Sequence, residues 1–175
     1  MRLTLVSHAM TEAMAGARFP ADEPLSELGL RQARAARLAI RDNVVQLAGP
    51  ERRTCQTAKL LGLNTITEPL LADLDCRRWR GERLDGIDPE ELQEWLTDPV
   101  AAPHGGESIV ALVDRVAGWL DSLAGNTVAV THPAVIRAAI LITLGAPPKS
   151  FWRIDIAPVS PTVMHHRAGG WTLRL

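Results

Sequence analysis

The sequence predicts an α/β fold with a largely parallel central sheet, and three observations carry that prediction. Short apolar, β-leaning runs alternate along the chain with stretches of helical periodicity. Two of those runs, residues 3–6 and 127–131, lead at once to a histidine, His8 and His132, as expected where buried strands deliver residues to the crevice of an open sheet. The chain has 175 residues and 19.0 kDa, with no internal repeat or low-complexity linker, so a single domain over residues 1–175 is expected. At that length about 70% of the unfolded surface is buried on folding, enough for a core without disulfide or metal staples.

Residues 3–6 (LTLV) read as the first buried strand, with His8 at its C-terminal end. Residues 10–27 are polar, small and interrupted by Pro20 and Pro24, and read as a long loop. Ser26, with Gly29 and Leu30, opens a helical run to about residue 40, whose Arg31, Arg34, Arg37 and Arg41 form a solvated basic stripe. Residues 44–47 are a second strand, 54–61 a helix, 70–86 a charged irregular stretch, and 88–96 a short helix with Trp95. The turn at 104–108 leads into a long helix to about residue 123, with Val110, Val113, Val116, Ala117 and Leu120 as its apolar repeat. Trp119 is assigned to packing, and Trp79 is the tryptophan expected to line a substrate cleft. The third strand, 127–131, is followed by a helix from Pro133 to about residue 144, proline being suited to a first helical turn. Strands at 159–166 and 171–173 close the chain.

Composition removes several functions. The net charge is −1 and the pI near 6.5, so no nucleic-acid or membrane-surface partner is expected. The longest stretch free of Asp, Glu, Lys and Arg, residues 122–136, is too short and too polar to span a bilayer. The first ten residues lack a signal peptide's apolar region and cleavage site. Cys55 and Cys76 make no disulfide framework, and no ligand spacing suggests a metal. A cytoplasmic protein is the expectation. Seventeen of the 19 basic residues are arginines, and arginine is the residue suited to bidentate anion binding.

The motifs give this arginine excess a context. LVSHAMT at 5–11, PLSELG at 24–29 with Gln32 and Ala33, RTCQTA at 53–58, GGES at 105–108 and VTHPAVIR at 130–137 together resemble, in order and spacing over nearly the whole chain, the histidine phosphatase (phosphoglycerate-mutase-like) superfamily. The resemblance implies a three-layer sandwich with helices on both faces of the sheet. It implies a phosphomonoester or phosphoprotein substrate, no cofactor and no metal. His8 would be the nucleophile, taking the phosphoryl group on a ring nitrogen. His132 would stabilise the charge on the phosphoryl oxygens and Arg53 would clamp them. A cation at a helix start is electrostatically awkward without an anionic partner, which supports that role for Arg53. In LADLDCRRWRG at 71–81, Asp73 aligns with the family's acidic residue and would protonate the leaving oxygen, with Asp75 as its competitor. Thr11 follows the histidine as in the family motif and joins the expected phosphate contacts.

Two departures separate this chain from the family pattern. Ser7 stands where the motif has arginine and Ala9 where it has glycine. A hydroxyl replaces a charged fork at Ser7, a loss of roughly 1.5–3 kcal/mol of phosphate stabilisation, or about 10- to 100-fold in rate if nothing compensates. Arg18 is the first candidate to refill the guanidinium position, with Arg77, Arg78, Arg80 and Arg83 behind it. The leading expectation is a small phosphohydrolase working through a phosphohistidine at His8, with activity weakened by Ser7 and Ala9. The alternative is a catalytically weakened, phosphate-binding regulatory domain. A mutase ranks third, because the chain has few residues for a water-excluding lid.

Overall fold

A computed structural model describes residues 1–36, 38 and 43–174. Its strands are β1 (Arg2–Ser7), β2 (Val45–Ala48), β3 (Ile66–Thr67), β4 (Thr127–Thr131), β5 (Pro161–Arg167) and β6 (Gly170–Arg174). Its helices are α1 (Glu12–Ala15), α2 (Glu27–Ala35), α3 (Arg52–Leu60), α4 (Pro89–Thr97), α5 (Ile109–Ser122) and α6 (Pro133–Leu144). The six strands form one mixed sheet in the order β3-β2-β4-β1-β5-β6. Strands β3, β2, β4 and β1 run parallel, while β5 is antiparallel to β1, and β6 to β5. The expected α/β class holds, and the antiparallel tail is the mixed part of the sheet.

Alternation along the central strands divides the core between the two faces. Leu3, Leu5 and Ala129 point to the side covered by α5 and α6, where they join Leu112, Val116, Trp119, Ala138 and Ala139. Val6, Val128, Val130 and Ala48 face the other side and pack with Ala58 of α3. All five residues of β4 are buried. Helix α6 buries seven residues from Ala134 to Leu141, which explains a sequence that is apolar nearly all round. It stops where Gly145 takes the left-handed conformation at φ 59°, a position glycine adopts without a Cβ clash.

Capping chemistry sets most helix starts. Ser26, Asp88 and Ser108 each accept a hydrogen bond from the first turn of α2, α4 and α5. The expected loop at 10–27 is interrupted by α1, one turn capped by Thr11. In α5 the buried stripe is Ile109, Leu112, Val116, Trp119 and Leu120: Val116 and Leu120 of the expected repeat are buried, whereas Val110, Val113 and Ala117 are only partly so. Strand β5 starts later than expected, because Val159 occupies a left-handed turn at φ 57° ahead of it, while β6 extends one residue beyond the expected 171–173 at each end. The end of the expected α2 run, with Arg37 and Arg41, lies outside the described residues. No helix among the described residues is long and apolar enough to cross a membrane.

Candidate active site

The C-terminal ends of β1, β2 and β4 converge, and each contributes to one site. His8 N–H donates to the Thr131 carbonyl at 3.0 Å and Gly49 N–H to the Val130 carbonyl at 2.9 Å, so the sheet ladder continues past the strand ends. This registration brings the His8 and His132 rings to 5.2 Å, edge to face. The motif residues around them are struts. Thr57 accepts from Ala9 N–H at 3.0 Å and donates to the Arg53 carbonyl at 2.7 Å. Gln32 and Gln56 accept from Met10 and Leu25 N–H.

His8 is buried, and its Nδ1 lies 2.8 Å from the Ala9 carbonyl. A carbonyl only accepts, so Nδ1 carries the proton and Nε2 keeps its lone pair. Burial, reinforced by the charges of His132 and Arg53, lowers the His8 pKa to about 4 despite the pull of the Ala9 carbonyl and Asp73. The ring is therefore neutral at physiological pH.

Arg53 is 2% exposed, on the first turn of α3. Its Nη2 donates to Asp73 Oδ2 at 2.7 Å, while Nε and Nη1 have no hydrogen-bond partner. Buried guanidinium donors without a protein partner are suited to an anionic acceptor. Asp22, from the preceding loop, caps α3 by accepting from Arg52 N–H at 2.8 Å.

Glu51 takes a place that the sequence reading did not assign. It precedes α3 but makes no side-chain cap. Its Oε2 lies 2.7 Å from His132 Nε2, and its Oε1 accepts from Asp73 N–H at 2.9 Å. His132 is fully buried, with Nδ1 3.3 Å from Asp73 Oδ2, so the ring sits between two carboxylates. Gly49 makes room for this pairing: a Cβ there would come 3.2 Å from both Glu51 Oε2 and His132 Nε2, and 2.8 Å from the Leu71 carbonyl. Burial works against ionising Glu51, but the bond and charge of His132 outweigh it and hold its pKa below the ordinary value. Asp73 behaves likewise: burial raises it, and the charges of His132, Arg53 and His8 bring it to about 2. In the free protein Asp73 is thus a carboxylate paired with Arg53, without the proton a general acid must give.

The Asp73 segment is itself braced. Arg115 donates to both oxygens of Glu107 at 2.8 and 2.7 Å, and to the carbonyls of Leu70 and Ala72 at 2.6 and 3.1 Å. Glu107 N–H donates to the Asp75 carbonyl at 2.8 Å, and a Cβ on Gly106 would collide with that same oxygen at 1.7 Å. The GGES turn therefore locates the strand-to-loop segment that carries Asp73.

A cavity of about 190 Å³ opens beside these groups, lined on its polar side by His8, Arg18, Glu23, Arg53 and Asp73. Of the expected phosphate contacts, Arg53 and Arg18 reach this cavity; Ser7 and Thr11 are not among the described residues that line it. Ser7 is fully buried in the β1–β4 ladder, its hydroxyl 3.5 Å from the His8 carbonyl. Thr11 accepts from Met14 N–H as the α1 cap. Arg18 is exposed and donates to the Gly81 carbonyl at 3.2 Å. His132 stands behind His8, outside the cavity lining. Arg77 and Arg80 pair with Asp75, Arg78 with Glu91 and Arg83 with Asp85, all at the surface. Asp75 is accordingly a partner of surface arginines and does not line the His8 cavity. Trp79 is buried behind the cleft, and Trp95 and Trp152 line it instead. Among the described residues no group of three or more His, Cys, Asp or Glu is disposed to hold a metal ion.

The sequence profile of the histidine phosphatase superfamily (branch 1) matches residues 3–175. The chain belongs to that superfamily. This histidine phosphatase is 29% identical over 182 residues to phosphoserine phosphatase 1 of Hydrogenobacter thermophilus, covering 94% of this chain and 86% of the relative. It is 28% identical over 189 residues to a probable phosphoglycerate mutase of Yersinia pestis, covering 98% and 87%. Among solved structures, a mycobacterial glucosyl-3-phosphoglycerate phosphatase complexed with VO3 superimposes with a TM-score of 0.81 at 26% identity, covering 99% of this chain and 97% of that one. A mutant phosphoserine phosphatase of Entamoeba histolytica shares the fold, with a TM-score of 0.86 at 20% identity and coverage of 98% and 94%. Family and relatives support phosphatase (hydrolase) activity for this chain.

Proposed function

We propose that this histidine phosphatase hydrolyses a small phosphomonoester through a phosphohistidine on His8. The observation that carries the reading is the pairing of a neutral His8, its Nε2 lone pair free, with an Arg53 whose Nε and Nη1 lack partners. The phosphoryl oxygens would take those donors, supported by Arg18 at the cavity rim. His8 Nε2 bonds to phosphorus as the ester P–O bond breaks. A phosphate dianion seated on Arg53 shares that cation's charge and places negative charge beside Asp73, which raises the Asp73 pKa. Asp73 then takes up a proton and passes it to the leaving oxygen, which departs as the alcohol. In the second half, water loses a proton to Asp73 and attacks phosphorus, the P–N bond breaks, and orthophosphate leaves.

In this scheme His132 acts at one remove. Held by Glu51, it sets its ring edge against His8, with Nδ1 3.3 Å from Asp73. Ser7 contributes no guanidinium, and three carboxylates (Glu23, Glu51 and Asp73) stand near two arginines, so the free site holds phosphate more weakly than one with a second buried arginine. That balance also favours a second reading, a phosphate-binding regulatory domain with little turnover. Replacing His8 by alanine separates the two. On a panel of phosphomonoesters, His8→Ala lowers kcat/KM by at least about 10³-fold with an unchanged circular-dichroism spectrum. Equal turnover by the variant overturns the mechanism, and phosphate binding without turnover by the wild type selects the regulatory reading.

A further inference from the structure

The His8 cavity has a second side that the phosphoryl chemistry does not use. Its wall is formed by Met14, Phe19, Trp95, Phe151 and Trp152, with Arg137 at the edge. The rings are mutually packed: Trp95 lies 4.4 Å from Trp152 and 5.5 Å from Phe19, and Phe151 4.8 Å from Trp152, centroid to centroid. Arg137 sits 5.6 Å above both the Phe151 and Trp152 rings and donates through Nε to the Ile154 carbonyl at 2.7 Å. The Trp95 indole N–H is buried and has no hydrogen-bond partner.

From this wall we infer that the alcohol portion of the substrate carries a planar aromatic ring. The inference rests on the phosphatase reading, which places the ester oxygen on the far side of phosphorus from His8 and so directs the leaving group into the remaining space of the cavity. At about 190 Å³ that space suits one ring plus the phosphoryl group, since a cavity of about 150 Å³ is known to take benzene. Indole and phenyl faces meet another ring edge to face or offset, an arrangement worth more than area burial alone. A cationic ring is disfavoured, because Arg137 lies over the Phe151 and Trp152 rings and repels it. A small aliphatic alcohol leaves the aromatic wall uncovered.

The test compares benzyl phosphate with propyl phosphate and phosphoserine, in which the departing oxygen is in each case an alkoxide on a CH₂ group, so that the ring is the main variable. The wild type is expected to prefer benzyl phosphate by about tenfold or more in kcat/KM. Trp152→Leu is expected to lose most of that preference, its benzyl-to-propyl ratio of kcat/KM falling towards one, with an unchanged circular-dichroism spectrum reporting that the variant is folded. Equal or better turnover of propyl phosphate or phosphoserine by the wild type overturns the inference. If no ester is hydrolysed, the phosphatase reading fails by itself. Calorimetry with benzylphosphonate and propylphosphonate then decides the ring: tighter binding of the benzyl compound supports it, and equal binding overturns it.

Discussion

Two groups of arginines in this chain have opposite fates. Arg53 lies in the floor of the site with 2% of its side chain exposed, one nitrogen bonded to Asp73 and two without partners. Arg77, Arg78, Arg80 and Arg83 lie on the 77–83 segment with side chains 51–69% exposed, each matched to a surface carboxylate. An exposed pair contributes about 0–1 kcal/mol and its remaining donors stay satisfied by water, whereas buried unpaired donors favour an incoming anion. Arginine count therefore says little about phosphate binding, and burial with spare donors says much. None of the arginines of the basic segment lines the His8 cavity, so that segment does not supply the guanidinium missing at Ser7.

This contrast can be broken by substitution. Arg53→Ala should lower kcat/KM by about 10²- to 10³-fold on any phosphomonoester, read by steady-state kinetics. Glu51→Gln comes next: it keeps the shape but removes the charge facing His132, and should lower kcat by about tenfold while leaving KM within about threefold. Arg80→Ala should stay within about twofold in both parameters, since it removes only an exposed pair with Asp75. A larger loss in Arg80→Ala than in Arg53→Ala would reverse the contrast.

Acid sensitivity sharpens it further. His8 falls from 6.5 to about 4 on folding, so between those values the unfolded chain binds the extra proton and stability declines as pH drops from about 6.5 to 4. Asp73 falls from 3.8 to about 2, so its contribution is complete above about pH 4 to 5 and is lost as pH approaches 2. Urea unfolding from pH 7 to pH 4 should show a downward slope that His8→Ala flattens. An unchanged slope in the variant would assign the acid sensitivity elsewhere.

What could be read from the sequence follows the same division between local and distant interactions. The strand ends that present His8 and His132, the proline start of α6 and the Ser26 start of α2 depend on neighbours a few residues away, and the sequence shows them. The four-residue α1 has too few residues for a period, and the two exposed residues of β3 form a strand only through their pairing with β2. The inward face of α5 is chosen by docking, which buries Ile109, Leu112 and Trp119 rather than Val110 and Val113. Glu51 and His132 are 81 positions apart, and Arg115 reaches Leu70 across 45. No spacing rule connects such pairs. The choice of Trp95 and Trp152 over Trp79 for the cleft wall likewise follows from how the 77–83 loop folds back on Phe19.

The central claim is that His8 Nε2 accepts the phosphoryl group, and chemical trapping tests it most directly. The protein is mixed with a phosphorus-32-labelled monoester, quenched in alkali within milliseconds and mapped by peptide. An acid-labile, alkali-stable label is expected on the peptide containing His8, absent from His8→Ala and reduced in Arg53→Ala. Turnover of the same ester with no label on that peptide, or hydrolysis by His8→Ala at the wild-type rate, would contradict it.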